Sequence, residues 1–418
     1  MSLFIHHIKN LVLTEEEPKM FYAGKEMLEI NAIPDAWLYI EKDKIVDFGK
    51  MNFIPEFYKN ASKQIDASGR LVFPSYCDAH THLVYPDSRE IEYVDKIKGL
   101  SYEEIAKRGG GILNSAKKMA ETSEEKLFED AMLRLNEISK YGTGAVEIKS
   151  GYGLNTKNEL KMLRVIKQLS EHSALTIKAT FLGAHAFPLE YKNNRSEYVD
   201  LIINEMIPQV AAENLADYID VFCDKGFFSV EDTDRLLNAG MKYGLRPKIH
   251  ANELANSGGI QVGVKYNALS VDHLEYTGEK EIKALLQSET MPTILPGAAF
   301  FLNMPYAPAR EMINAGLPLA FASDFNPGSS PSGNMQLIQA MASILYRLTP
   351  EEGIYATTIN GAYAMGIHET HGSIAKGKQA NVFITKPMNG IEYMPYSYGD
   401  NKVDIALLNG KIVSDKQF

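Results

Sequence analysis

The stretch Phe73-Pro-Ser-Tyr-Cys-Asp-Ala-His80-Thr-His82 decides how this chain is read. It begins in the apolar run Leu71-Val72-Phe73, which has the composition of a strand climbing out of a core. In extended backbone, residues i and i+2 point to the same side, so His80 and His82 project together from the end of that strand. Two imidazoles so placed can grip one metal ion. Two hydrogen-bonded histidines in a turn would share this spacing, so the rest of the chain has to decide.

Outward from this stretch, strand-length apolar runs recur and each precedes a helical pattern. They are Leu71–Phe73, Gly144–Ile148, Leu175–Phe181, Ile219–Phe222, Pro247–Ile249, Ala268–Val271, Pro292–Leu295 and Leu317–Ala322. One intervening helix reads clearly. Thr122 and Glu125 have capping-box spacing, Leu127, Ala131, Leu135 and Ile138 follow at helical intervals, and Gly142 stops it. Eight strands alternating with helices predict a parallel sheet closed into a (β/α)8 TIM barrel.

Both chain ends read differently. Short β-like runs such as Ala36–Ile40 and Lys44–Phe48 fill the first 70 residues, and Ala380–Thr385, Val403–Leu408 and Lys411–Val413 resemble them. Asn409-Gly410 between two of these runs is a hairpin signal. Residues 1–70 and 376–418 are therefore expected to pair into one composite β-sandwich domain, with residues 71–375 forming the barrel.

Bulk properties narrow the partners. The chain has 418 residues, 45% hydrophobic and 23% charged, enough for a large core plus a small domain. A net charge of -10 argues against nucleic acid or an anionic membrane as partner. Mean hydropathy is -0.20, and no apolar stretch approaches the roughly 20 residues of a membrane span. His6, His7 and Lys9 interrupt the first apolar run, which rules it out as a signal peptide and points to the cytoplasm. Cys77 and Cys223 are the only cysteines and form no Cys-x-x-Cys pair, so disulfide and thiolate-zinc frameworks are not expected.

Chemistry in such barrels gathers where strands end. Here the second run leads to Glu147, Lys149 and Tyr152, the third to His185, and the fifth to His250 and Glu253. The sixth leads to His273 and Glu275, and the eighth to Asp324. His80, His82, His250 and Asp324 form a three-imidazole, one-carboxylate set that suits a single Zn or Fe ion with a position left for water. Nitrogen and oxygen ligands do not separate those two metals. His273 is expected beside the metal rather than on it, and His185 is a candidate for orienting substrate. His6, His7, His172, His368 and His371 read as structural or exposed. Gly109-Gly-Gly111 lacks the Gly-Lys-Ser/Thr of a phosphate loop and reads as a flexible loop. Asn326-Pro-Gly-Ser-Ser330 is a turn whose backbone N–H groups are expected to face the site.

These residues resemble the amidohydrolase superfamily and, within it, the imidazolonepropionase family. The matching phrases run from Asp78-Ala-His-Thr-His-Leu-Val84 through Glu147-Ile-Lys-Ser-Gly-Tyr-Gly-Leu154 to Ser323-Asp-Phe-Asn-Pro-Gly-Ser-Ser330. The resemblance implies hydrolytic opening of 4-imidazolone-5-propanoate to N-formimidoyl-L-glutamate, on one divalent or trivalent ion per subunit held by His80, His82, His250 and Asp324. It also implies substrate contacts from Arg89, Tyr102, Tyr152, His185, Glu253, Asn326, Gly328 and Ser329, where some members carry Gln at 253 and Thr at 329. Physically, Asp324 can accept a proton from water, His273 can steady an oxyanion, and Glu253 can deliver a proton to the leaving nitrogen. Arg89 offers a planar fork for the propanoate carboxylate. Ile219–Asp224 offers no lysine for a second metal. A homodimer is the default assembly. Two alternatives stay open: a purine or pyrimidine aminohydrolase, which needs no Arg89, and a non-catalytic barrel scaffold.

Overall fold

Alternating apolar residues near the chain ends build one sheet, and apolar runs between them build a barrel. The computed structural model describes residues 2–100, 104 and 110–413. The first strands are β1 (Ser2–Val12), β2 (Ala32–Glu41), β3 (Lys44–Lys50), β4 (Lys63–Asp66) and β5 (Leu71–Pro74). Next come β6 (Tyr76–Thr81), β7 (Thr143–Lys149), β8 (Thr176–Ala184), β9 (Tyr218–Cys223) and β10 (Arg246–Ala251). The chain continues with β11 (Ser270–His273), β12 (Met291–Ile294) and β13 (Ala320–Phe321), then β14 (Val382–Thr385), β15 (Val403–Leu408) and β16 (Lys411–Ile412).

The terminal sheet runs β16-β15-β14-β5-β1-β2-β3, with β4 beside β1. Its seam joins the two chain ends: β5 lies antiparallel to β14, and Phe73 stacks on Phe383 at 5.2 Å between ring centroids. Leu3, Ile5, Ile8, Leu38, Ile45, Val382 and Leu407 share one buried cluster, so the sheet curls until strands from both ends face each other. The Asn409-Gly410 hairpin turns with both residues at positive φ, 51° and 70°, the geometry that matches strand twist.

One strand differs from the sequence expectation. Leu71–Pro74 pairs with β1 and β14 in the terminal sheet, and the first barrel strand is Tyr76–Thr81. Two fully buried strands follow one another with only Ser75 between, and no glycine or run of charge marks that junction in the sequence. The cap of the helix Glu124–Lys140 also differs. Ser123, one residue past Thr122, accepts from the Lys126 N–H at 3.2 Å, while Thr122 donates back to the Lys118 carbonyl at 2.8 Å. The expected face of Leu127, Ala131, Leu135 and Ile138 is buried.

β6 to β13 form a parallel sheet in consecutive order. Its ends meet through backbone hydrogen bonds from Asp324 N–H to the His80 carbonyl and from His82 N–H to the Phe325 carbonyl, both 3.0 Å. Asp78 reinforces the closure by accepting from Ser323 N–H at 2.9 Å and from its hydroxyl at 2.5 Å. Among the described residues no helix is long and apolar enough to cross a membrane.

The loop after β7 is pinned by one carboxylate. Buried Glu159, in the first turn of the helix Thr156–His172, accepts from the N–H groups of Gly151 (3.0 Å), Gly153 (2.7 Å) and Leu154 (2.9 Å). That loop carries Tyr152 and the Gly151 carbonyl that holds His185 at 3.0 Å. Hydrogen bonds to a charged group contribute about 1.5–3 kcal/mol each. Glu159→Ala is therefore expected to lower unfolding free energy by about 3 kcal/mol or more in urea titration. A loss below about 1 kcal/mol would show that the loop is held by other contacts.

Candidate active site

Three imidazoles meet at the carboxyl end of the barrel. His80 lies in β6, His82 one residue past its end, and His250 in β10. Each offers a nitrogen, and those nitrogens lie within 4.8 Å of one another. His82 Nε2 and His250 Nε2 stand 3.4 Å apart. Asp324 Oδ1 lies 3.6 Å from His80 Nε2 and 3.7 Å from His82 Nε2.

Carboxylates behind the rings fix which nitrogens face inward. Asp272 Oδ2 sits 2.6 Å from His80 Nδ1, and Asp220 Oδ2 sits 3.0 Å from His250 Nδ1. Asp272 accepts a hydrogen bond from His80 Nδ1–H, and Asp220 at ion-pair distance favours the proton on His250 Nδ1, which leaves each Nε2 lone pair free to face inward. His80 Nε2 is buried and has no hydrogen-bond partner. Such an atom is costly unless something meets it. Burial pushes the pKa values of His80, His82 and His250 below the ordinary histidine value, so the rings stay neutral. Neutral, inward-facing imidazoles are what a metal ion requires, and the site fits one.

Asp324 and His273 are both held at positive φ, 52° and 85°, where a side chain costs about 1–3 kcal/mol. Such strain persists where the surrounding structure dictates a direction for the side chain. Burial pushes Asp324 up to about 6 and Glu253 up to about 7. His273 rises to about 10. Burial opposes its charge, but Glu253 (3.6 Å from Nε2), Glu275 (3.9 Å from Nδ1) and Asp324 outweigh that penalty. The site thus holds a protonated imidazole beside a carboxyl group poised near neutrality.

These groups open into a cavity of about 840 Å³. Of the residues singled out from the sequence, His82, His250, Asp324, Glu253, His273, Arg89, Tyr152, His185, Asn326, Gly328 and Ser329 line it. His80 lies fully buried outside the lining, and Tyr102 falls outside the described residues. Gly109 does too. His371 bonds Thr176 at 2.9 Å and Thr370 at 2.8 Å, and the His368–His371 segment is a turn rather than a helix.

The 326–330 turn differs from expectation in one respect. The N–H groups of Gly328 and Ser329 donate to Asn326 Oδ1 at 2.7 and 2.8 Å, because an Asn side chain caps its own turn. Ser329 Oγ instead donates to Asp324 Oδ2 at 3.2 Å. Arg89 packs so closely over Gly328 that a Cβ there would collide with its guanidinium. Glu92 takes the Nε and Nη2 donors of Arg89 at 2.9 and 2.5 Å, leaving Nη1 toward Gly328.

Sequence reasoning missed Lys96, Phe222, Phe227 and Phe301 on the cavity wall, and Asp220 and Asp272 behind the rings. Only the two aspartates carried a signal: an acid inside an apolar strand run is expensive to bury unless a partner waits for it. Lys96 donates to the Gly328 carbonyl at 3.1 Å, beside Arg89.

Burial is the main cause that brings His185 down to about 3, with His250 adding to it. Its ring is therefore expected to stay neutral from pH 5 to 9, and its ¹⁵N resonances to stay fixed across that range. A titration midpoint near the ordinary value of about 6.5 would contradict the buried geometry.

Comparison with known proteins gives the family of the chain. Residues 85–413 match the family model described as amidohydrolase family. The chain is 55% identical over 413 residues to an imidazolonepropionase of Flavobacterium johnsoniae, covering 99% of this chain and 100% of that protein. It is 54% identical over 413 residues to the imidazolonepropionase of Christiangramia forsetii, with the same coverage. The imidazolonepropionase of Alkaliphilus oremlandii is 40% identical over 418 residues, covering 100% and 99%. Among solved structures, a triazine hydrolase variant superposes with a TM-score of 0.73 at 14% identity, covering 100% of this chain and 95% of that one. An atrazine chlorohydrolase of Arthrobacter aurescens complexed with zinc gives 0.73 at 14%, covering 99% and 96%. At that identity the two structures speak for the fold alone. The full-length relatives go further: the chain belongs to the amidohydrolase family and, within it, to the imidazolonepropionases.

Proposed function

We propose that the cavity opens the ring of 4-imidazolone-5-propanoate by hydrolysis, giving N-formimidoyl-L-glutamate, a step of histidine degradation. The observation that carries this reading is that inward-facing neutral imidazoles, Asp324 and the Arg89 clamp converge on one cavity. His80, His82, His250 and Asp324 would hold one ion, Zn or Fe. Such an ion supplies Lewis acidity and brings the pKa of a water from about 16 toward 7.

The chain's own residues supply the rest. Arg89, held by Glu92 through Nε and Nη2, turns Nη1 to the propanoate carboxylate, and Lys96 adds a second positive charge on the same wall. Phe222 and Phe227, with ring centroids 4.1 Å apart and planes tilted by 31°, give the flat ring an apolar wall. Tyr152 and His185, which also line the cavity, fix its rotation. Asp324, pushed to about 6, is largely ionised at neutral pH and accepts the proton of the attacking water. Protonated His273 faces the carbonyl oxygen as charge develops there. Glu253, near 7, delivers a proton to the ring nitrogen as the C–N bond breaks.

Loss of the substrate's ultraviolet absorbance, without release of ammonia, is the expected outcome with metal-loaded protein. Ammonia release would favour an aminohydrolase. Arg89→Ala removes a charge-assisted contact worth about 1.5–3 kcal/mol, so KM should rise by about 10- to 100-fold at nearly constant kcat. Unchanged KM would remove the clamp.

Glu253 must start protonated in this scheme. Its folded pKa is raised to about 7, so kcat/KM should fall as pH climbs through that value. Glu253→Gln should erase this alkaline limb. A limb that survives the substitution belongs to another group.

A further inference from the structure

Outside the groups used above, the barrel interior holds an ion network that the proposed chemistry does not explain. Lys149 and Lys248 meet Glu147, Asp220 and Asp272, and all five side chains are fully buried. Burying charges of both signs costs several kcal/mol per ion, and well-packed apolar residues commonly serve stability as well or better. Two ammonium groups facing three carboxylates also leave one negative charge in excess. The network therefore calls for a purpose beyond filling space.

Its geometry supplies one. Lys149 Nζ lies 2.9 Å from Asp220 Oδ2 and 3.6 Å from Asp272 Oδ2. Those same two oxygens face the rings: Asp220 Oδ2 meets His250 Nδ1 at 3.0 Å, and Asp272 Oδ2 meets His80 Nδ1 at 2.6 Å. One ammonium thus shares each carboxylate oxygen with one ligand imidazole. Glu147 does not depend on Lys149 alone, since Thr180 donates to its Oε1 at 2.7 Å and Lys248 contacts its Oε2. The two aspartates have no other ammonium partner among the described residues.

We propose that Lys149 is a positioning residue that couples His80 and His250 into one metal-binding unit through Asp272 and Asp220. Its charge holds the two carboxylates at a set separation, and the carboxylates set the direction of each free nitrogen. This rests on reading the histidines as metal ligands. Groups that orient ligands typically change metal affinity by about 10- to 100-fold.

The test uses stripped protein reloaded with Zn²⁺ in competition with a chelator, and with Co²⁺ to read the visible ligand-field spectrum. Lys149→Met should weaken Zn²⁺ affinity by about 10-fold or more and alter the Co²⁺ spectrum. Because Lys149→Met leaves three carboxylates with one ammonium, Glu147→Gln/Lys149→Met, which restores a single excess negative charge, is compared with the unsubstituted protein at the same buried charge, with Glu147→Gln alone as the control for loss of that carboxylate. Adding Asp220→Asn to the lysine variant should cost much less than Asp220→Asn costs alone, since both act through one oxygen. Zn²⁺ affinity of Glu147→Gln/Lys149→Met within about threefold of the unsubstituted protein, an unchanged Co²⁺ spectrum, or losses that multiply would each overturn the proposal. Failure of the unsubstituted protein to bind Zn²⁺ or Co²⁺ would instead sink the metal-site reading on which it rests.

Discussion

Barrel closure between the first and eighth strands is the constraint on which the site depends. His80 and Asp324 lie far apart in the chain, yet the Asp324 N–H bonds the His80 carbonyl and the His82 N–H bonds the Phe325 carbonyl, each at 3.0 Å. Those two backbone bonds fix the register at which the sheet meets itself. Register decides which residues of the two strands stand side by side. A slip of one position would turn His80 and His82 away from Asp324. Asp78 guards the register from below by binding both polar groups of Ser323.

Electrostatics complete what the backbone begins. Burial alone would leave neutral imidazoles free to settle on either nitrogen, with no preferred direction. Asp272 and Asp220 remove that freedom for His80 and His250 by claiming Nδ1. The charged half of the site works the other way: His273 keeps its proton because Glu253, Glu275 and Asp324 surround it. One low-dielectric pocket therefore holds neutral metal-type rings and a protonated ring within 6 Å, 5.3 Å separating His250 from His273 and 5.6 Å separating His80 from His273. Sorting protonation states by neighbours rather than by residue type is how one barrel mouth can offer ligand, acceptor and donor together.

Much of this was legible in the sequence, because period and punctuation are local. The alternation of strand and helix, the Asn409-Gly410 hairpin and the clustering of histidines after strand-like runs all follow from short-range rules. Leu71–Phe73 reads as the first barrel strand because only Ser75 separates two fully buried strands, and the partners that tell them apart lie far off in the chain. The Thr122 cap was misplaced by one residue because Ser123 beside it is chemically equivalent. At the site, the convergence of His80, His82, His250 and Asp324 could be expected from residue type and position. Asp220 and Asp272 could not be assigned roles, because their meaning lies in which ring stands opposite, and that is a property of the closed barrel. Lys96 and the phenylalanines of the wall are likewise ordinary residues until the fold brings them around one cavity.

The central claim is that one ion is held at the barrel mouth by His80, His82, His250 and Asp324. Diffraction from metal-loaded crystals, collected on both sides of the metal absorption edge, tests it most directly. The account predicts a single anomalous peak per chain, about 2.0–2.2 Å from the three imidazole nitrogens and from an Asp324 oxygen. No peak at that position, or a second peak of equal height beside it, would contradict it.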